Sequence, residues 1–299
     1  MNSTLDTVGV VGIGQMGLGM ALRLRDGGRR VVVCDIDPTR EALAAAAGAV
    51  VVPDPAAVGA AGDVLIVCVV DAAQTEDVLF GTGGAAATLR PGACVLLCPT
   101  IGPADVERIA SRLAGLSLGC LDAPMSGGPA RARDGTMSLM VAGEDALFER
   151  HRPLLQHLSS RLFRIGPRCG DGARTKLVNN LLAATILAAA CEALALAERI
   201  GLDGAATLAV IEQSSGQSWI GGDRLPRLLA GDERVLARMG LLAKDSALAL
   251  AMADAQGARP ALGAQAAALF AAACDDGLAD ADDSHLIRLI RRAGSAPVA

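Results

Sequence analysis

The stretch VGVVGIGQMG, residues 8–17, runs from β-branched residues into three glycines spaced Gly12-x-Gly14-x-x-Gly17. The apolar run reads as a strand and the following QMGLGMALRLRD as a helix, so the glycines occupy a strand-to-helix turn. Gly12 permits the tight turn, Gly14 lets a ligand come close to the backbone, and Gly17 lets the helix pack closely on the strand. The free N–H groups at the start of such a helix face an anion, so Gly12, Ile13, Gly14, Gln15, Met16 and Gly17 form a candidate pyrophosphate cradle.

A glycine pattern of this kind is weak by itself, and its context decides the reading. A second strand, RVVVCDI (30–36), carries Asp35, 21 residues beyond Gly14. A carboxylate there accepts from both ribose hydroxyls of NAD and repels the 2′-phosphate of NADP. Ile36 follows where an NADP site would want arginine, and Asp37 adds negative charge. NAD is the expected cofactor, with NADP the lesser alternative.

Further β-branched runs at 48–52, 63–70, 93–98 and 118–123 alternate with helical segments such as PADVERIASRLAG. Strands that are apolar throughout and separated by helices predict an α/β fold, a Rossmann-type doubly wound, mostly parallel sheet. Runs at 136–143 and 161–166 read as extra strands at one end of it. After IGPRCGDGAR the pattern changes to helices punctuated by Gly and Pro, with one long helix over 172–200 stopped by Gly201. The expected organisation is a dinucleotide-binding domain over 1–166, then an all-α C-terminal domain over 167–299 joined by that helix, with a cleft between them.

Bulk properties narrow the function. With 299 residues and 52% hydrophobic content the chain is not disordered. A net charge of −5 and no long basic run argue against a nucleic-acid surface. The uncharged run Leu181–Cys191, stopped by Glu192, reads as too short for a membrane span, and MNSTLDTVGVVG has no basic residue ahead of its apolar part, unlike an export signal. Eight cysteines fall mostly in strand-like runs without a CxxC, and His151, His157 and His285 lack ligand spacing, so a reduced, cytoplasmic, metal-free protein is expected. The chain has no tyrosine, which removes any phenol as a proton donor.

The long helix opens RTKLVNNLLAATILAAA (174–190), placing Lys176 and Asn180 one turn apart on one face. Buried polar groups are costly unless used. Two readings are open from these residues alone: an exposed first turn meeting water, or a working cation and amide.

Four blocks resemble the β-hydroxyacid dehydrogenase family, which includes 3-hydroxyisobutyrate dehydrogenase and tartronate semialdehyde reductase. They are VGVVGIGQMGLGMALRL at the N-terminus, DAPMSGGPARARDGT (122–136), GDGARTKLVNN, and LLAKDSALALAMA (241–253). The resemblance implies that Lys176 is the catalytic acid/base and that Asn180 helps hold the substrate. It implies that Ser126, Gly127 and Gly128 hold the substrate carboxylate. Thr100 of CPTIGP falls where the family has a cofactor contact, and Lys244 would serve the nicotinamide end. These roles suit the residue types. Glycines after a serine turn N–H groups toward an anion, and a buried lysine more readily becomes a neutral base. For Lys244-Asp245 a solvated charge pair within one helix is the other reading.

Arg131 stands where many relatives have glycine, GPRCGDG has one more residue between its glycines than is common, and Cys98-Pro99 precedes Thr100. The first two departures, and SSGQSWIGGDRLPRLL (214–229) with Trp219, resemble the branch acting on sugar acids such as threonate. Arg131 would bind a second substrate group or face solvent; Trp219 would wall a pocket or simply pack. The expectation is an NAD-dependent dehydrogenase of a small 3-hydroxy acid, active as a homodimer or homotetramer through the apolar 172–200 helix. The alternatives are an imine reductase, against which Lys176 counts, and a non-catalytic dinucleotide-binding module.

Overall fold

The computed structural model describes residues 7–293, and the reading of the first residues as no export signal lies partly outside them. The chain divides into two compact units between Lys176 and Leu177. This division lies inside the long helix, ten residues beyond the 166/167 boundary expected from the change of pattern.

The first unit holds nine strands among the described residues: β1 (Val8–Val11), β2 (Val31–Cys34), β3 (Val50–Val51), β4 (Val64–Val67), β5 (Cys94–Leu97), β6 (Gly119–Asp122), β7 (Met125–Ser126), β8 (Met137–Gly143) and β9 (Ser159–Gly166). Between them run α1 (Gln15–Asp26), α2 (Pro38–Ala46), α3 (Pro55–Ala61), α4 (Ala72–Phe80), α5 (Pro103–Gly115), α6 (Gly128–Asp134) and α7 (Asp145–Leu158). The sheet order is β3-β2-β1-β4-β5-β6-β8-β7, with β9 on β8. Every neighbour pair from β3 to β6 is parallel, whereas β8 runs antiparallel to β6 and β7. The mostly parallel, Rossmann-type sheet is therefore present, with a mixed end.

Alternation of side chains explains why the strands are apolar throughout. Val8, Val10, Val31, Val33, Val64 and Ile66 enter one core with Met20, Leu24, Phe148 and Leu155 of α1 and α7. Val11, Val32, Leu65, Val67 and Val95 enter the other core, with Val58, Leu79, Val106 and Ile109 of α3–α5. Both faces are covered, so both strand parities in β1, β2, β4 and β5 carry apolar residues. At β1 the chain order reverses, β2 lying on one side and β4 on the other. The carboxyl ends of strands at such a point open the crevice where ligands bind in this fold class.

The second unit is helical among the described residues: the rest of α8 (Asp171–Arg199), then α9 (Gly204–Glu212), α10 (Trp219–Leu229), α11 (Met239–Asp254), α12 (Ala261–Ala273) and α13 (Leu286–Ala293). Only an isolated bridge, Arg238 to Asp282, interrupts this. Ala184, Leu187, Ala188, Cys191 and Leu194 of α8 pack with Leu225, Met239, Phe270 and Ile287. Gly201, at φ +85°, closes the helix C-terminus. By length and composition α8 is able to cross a membrane, its most apolar 18-residue window having a mean hydropathy of 1.8. Counting only the uncharged residues 181–191 understated it. Its Val178, Leu182 and Leu196 remain exposed.

Candidate active site

The glycine turn follows directly from its packing. Gly12 has φ +85°, and a Cβ there would lie 2.7 Å from the Cys68 carbonyl oxygen; one on Gly17 would lie 2.0 Å from the carbonyl oxygen of Gly12. A Cβ on Gly14 would meet nothing within 4 Å, so the backbone there is open to a ligand. Gly14 is also the N-cap of α1 and no side chain caps that helix start. Asp35, just past β2, accepts from the Ile13 N–H at 2.6 Å and from the Asp37 N–H at 2.9 Å. Glu41 in turn accepts from the Asp35 N–H at 3.1 Å. Acidic groups thus collect beside the glycine turn, and Ile36 at their edge is 99% exposed. An uncapped helix start, open backbone at Gly14 and a carboxylate anchored to the turn fit the pyrophosphate and ribose of NAD. Thr100, half-buried, lies three residues beyond the end of β5.

The segment 122–128 has two structural tasks. Ser126, in β7, pairs with Ser138 of β8, and Gly127 and Gly128 follow with φ +133° and +78°. A Cβ on Gly127 would lie 2.9 Å from Cδ of Arg131, whose stem packs back on the turn, while above Gly128 the space is open. Consecutive positive-φ glycines of this kind turn backbone N–H groups outward. At the other end of the segment, buried Asp122 accepts from the N–H groups of Gly170 at 2.8 Å and Ala173 at 3.0 Å. Burial pushes its carboxyl up to about 6, against the pull of the backbone donors Ala173, Gly170 and Gly172. Asp122 therefore satisfies the start of α8 from a distant strand, a role that the sequence block 122–136 does not announce.

On α8, Lys176 is only 8% exposed. Asn180, one turn on, donates through Nδ2 to Oδ2 of Asp245 at 2.6 Å and receives the Asn179 amide at 3.0 Å. Asp245, buried on α11, also pairs with Lys244, Nζ to Oδ1 at 2.8 Å. Lys244 and Asp245 are thus a charge pair within one helix, yet the pair is not simply solvated, because its carboxylate holds Asn180. Asp245 is a residue that the sequence reading did not assign. Trp219 opens α10, 46% exposed, beside a hollow lined by Glu212, Gln217, Ser218 and Asp223.

Residues 7–166 match the family described as the NAD binding domain of 6-phosphogluconate dehydrogenase, and 170–290 match the one described as NAD-binding of NADP-dependent 3-hydroxyisobutyrate dehydrogenase. An L-threonate dehydrogenase of Cupriavidus necator is 38% identical over 282 residues, which cover 94% of this chain and 95% of that one. A crystal structure of a 3-hydroxyisobutyrate dehydrogenase from Salmonella typhimurium superposes with a TM-score of 0.89 at 34% identity, covering 95% of this chain and 99% of the other. A Streptomyces aurantiacus imine reductase shares the fold at a TM-score of 0.65 and 22% identity, covering 95% and 99% of the two chains. The chain belongs to the β-hydroxyacid dehydrogenase family. It is an NAD-dependent oxidoreductase acting on the CH–OH group of a small hydroxy acid.

Proposed function

We propose that the substrate is a polyhydroxylated 3-hydroxy acid of the threonate type, and that Lys176 is the acid/base group. The observation that carries this reading is the pairing on α8 of a nearly buried lysine with an amide that Asp245 holds in one orientation. When bound, NAD supplies the acceptor for the substrate hydride. The protein's share is to hold the alcohol and move its proton. Lys176, as the neutral amine, takes the hydroxyl proton in oxidation and returns it in reduction. Asn180 keeps the substrate oxygen aligned, its side chain being fixed by Asp245. Ser126, Gly127 and Gly128 receive the carboxylate through outward N–H groups and a hydroxyl, and Arg131, whose stem packs on Gly127, binds a further substrate oxygen. Gly12 to Gly17 and Asp35 hold the dinucleotide, with Thr100 and Lys244 as additional cofactor contacts.

The relatives named L-threonate dehydrogenase support the sugar-acid assignment. All eight cysteines are free thiols, in keeping with a reduced cytoplasmic setting. Val178, Leu182 and Leu196 exposed on α8 support self-association into a homo-oligomer. The test is NADH formation from L-threonate, 3-hydroxyisobutyrate, glycerate and 3-hydroxypropionate. Turnover fastest on threonate supports the reading, and preference for 3-hydroxyisobutyrate or 3-hydroxypropionate, which carry no hydroxyl beyond the one oxidised, refutes the sugar-acid part of it.

A further inference from the structure

Two cysteines distant in sequence, Cys120 and Cys169, come together against one core of the sheet, while a third, Cys94, packs in the core on the other face. Cys120 lies on β6 and Cys169 in the turn that precedes α8, 49 residues away, and Cys94 lies on the neighbouring strand β5. The Cys169 thiol donates to the Cys120 carbonyl oxygen at 3.5 Å, and the two thiols lie close enough to shift each other's ionisation. Both are only partly buried, whereas Cys94 is fully buried.

The chemistry of the two thiols differs. The interaction with Cys120 lowers the Cys169 thiol, and the Arg164 guanidinium acts in the same direction; the same interaction and burial raise Cys120 well above the ordinary thiol range. Burial pushes Cys34, Cys68 and Cys191 up to about 12 and raises Cys94 and Cys98 as well. Cys169 is thus the one thiol of the eight shifted toward ionisation, and Cys120 beside it is shifted away from it. Reactive pairs have this form, one cysteine attacking and the other resolving.

We propose that Cys169 and Cys120 form a peroxide-driven, reversible disulfide at the foot of the helix that carries Lys176. The Cys169 thiolate attacks one oxygen of a hydroperoxide, the O–O bond breaks, and the alcohol or water leaves with the proton. The sulfenic acid formed on Cys169 is then attacked by the Cys120 sulfur, the S–O bond breaks, and water leaves with the Cys120 proton. In sum, two thiols are oxidised by two electrons and one peroxide is reduced. The bond joins β6 to the residue before Gly170, whose N–H Asp122 holds. Disulfides in reducing compartments are mostly of this transient kind.

The test uses the full-length protein and hydrogen peroxide, followed by non-reducing peptide mass mapping. The expected product is a Cys120–Cys169 cross-link that dithiothreitol removes. On the reduced protein, iodoacetamide labels Cys169 at least about tenfold faster than Cys94, Cys98 or Cys191. In Cys120→Ser, peroxide leaves a sulfenic acid on Cys169 that dimedone traps. A Cys94–Cys169 link, over-oxidation of Cys169 with Cys120 still free, or equal labelling of all the thiols would overturn the proposal. These readouts are covalent and do not depend on the role given to Lys176.

Discussion

The Nδ2 amide of Asn180 and the Oδ2 of Asp245 lie 2.6 Å apart, and the other oxygen of the same carboxylate faces Lys244. An amide that donates to a carboxylate has its oxygen end turned away from it. Asp245 thereby fixes the Asn180 amide in one orientation, with its oxygen accepting from Asn179. Asp245→Ala frees both partners. A lost hydrogen bond to a charged group is worth about 1.5–3 kcal/mol, so kcat/KM for the hydroxy acid should drop by about 10- to 100-fold. Steady-state kinetics in the hydroxy acid measure it, and an unchanged value would separate Asp245 from the site.

Lys176→Ala should lower kcat by about 100-fold or more while NAD still binds, because general acid/base catalysis contributes roughly that much. Turnover at a fixed saturating NAD, set beside NAD binding by calorimetry, distinguishes a lost proton carrier from a lost fold.

Asp35→Ala removes an acceptor from the Ile13 N–H and the charge that opposes a 2′-phosphate. The ratio of kcat/KM for NAD over NADP should fall by about 10-fold or more. An unmoved ratio would assign discrimination to another residue.

Gly17→Ala is expected to be costly because the added methyl would overlap the Gly12 carbonyl. Overpacking of this kind costs about 1–3 kcal/mol or more, and relief by displacing the turn would also distort the cradle. A lower melting midpoint and weaker NAD binding should appear together.

Asp122 makes stability depend on pH. Its folded carboxyl lies at about 6 against 3.8 for the ordinary group, so between those values the folded chain holds a proton that the unfolded chain releases. Stability should therefore fall as pH rises from about 4 to about 6 and level off above. In Asp122→Asn that slope should be shallower, which denaturant titrations across the range would reveal.

Local pattern made much of this molecule readable. Glycines at 12, 14 and 17 demand a turn whatever surrounds them, and Asp35 lies at a spacing that a βαβ unit dictates. The apolar strands are recognisable because both sheet faces are covered. What escaped was short or distant. β7 has two residues and no periodicity to detect. Asp122 serves N–H groups 48 and 51 residues away, and Asp245 serves an amide 65 residues away. Partnerships of that kind exist only after folding. The cysteines read as small apolar residues for the same reason, since nothing in the order of residues brings 120 beside 169.

Trp219, half-exposed at the first position of α10, is the single indole of a chain without tyrosine. Indole emission from this protein therefore comes from one address, in the helical unit. Heating followed by fluorescence reports the loss of that unit alone, whereas calorimetry registers both. Any gap between the two curves measures how independently the halves come apart.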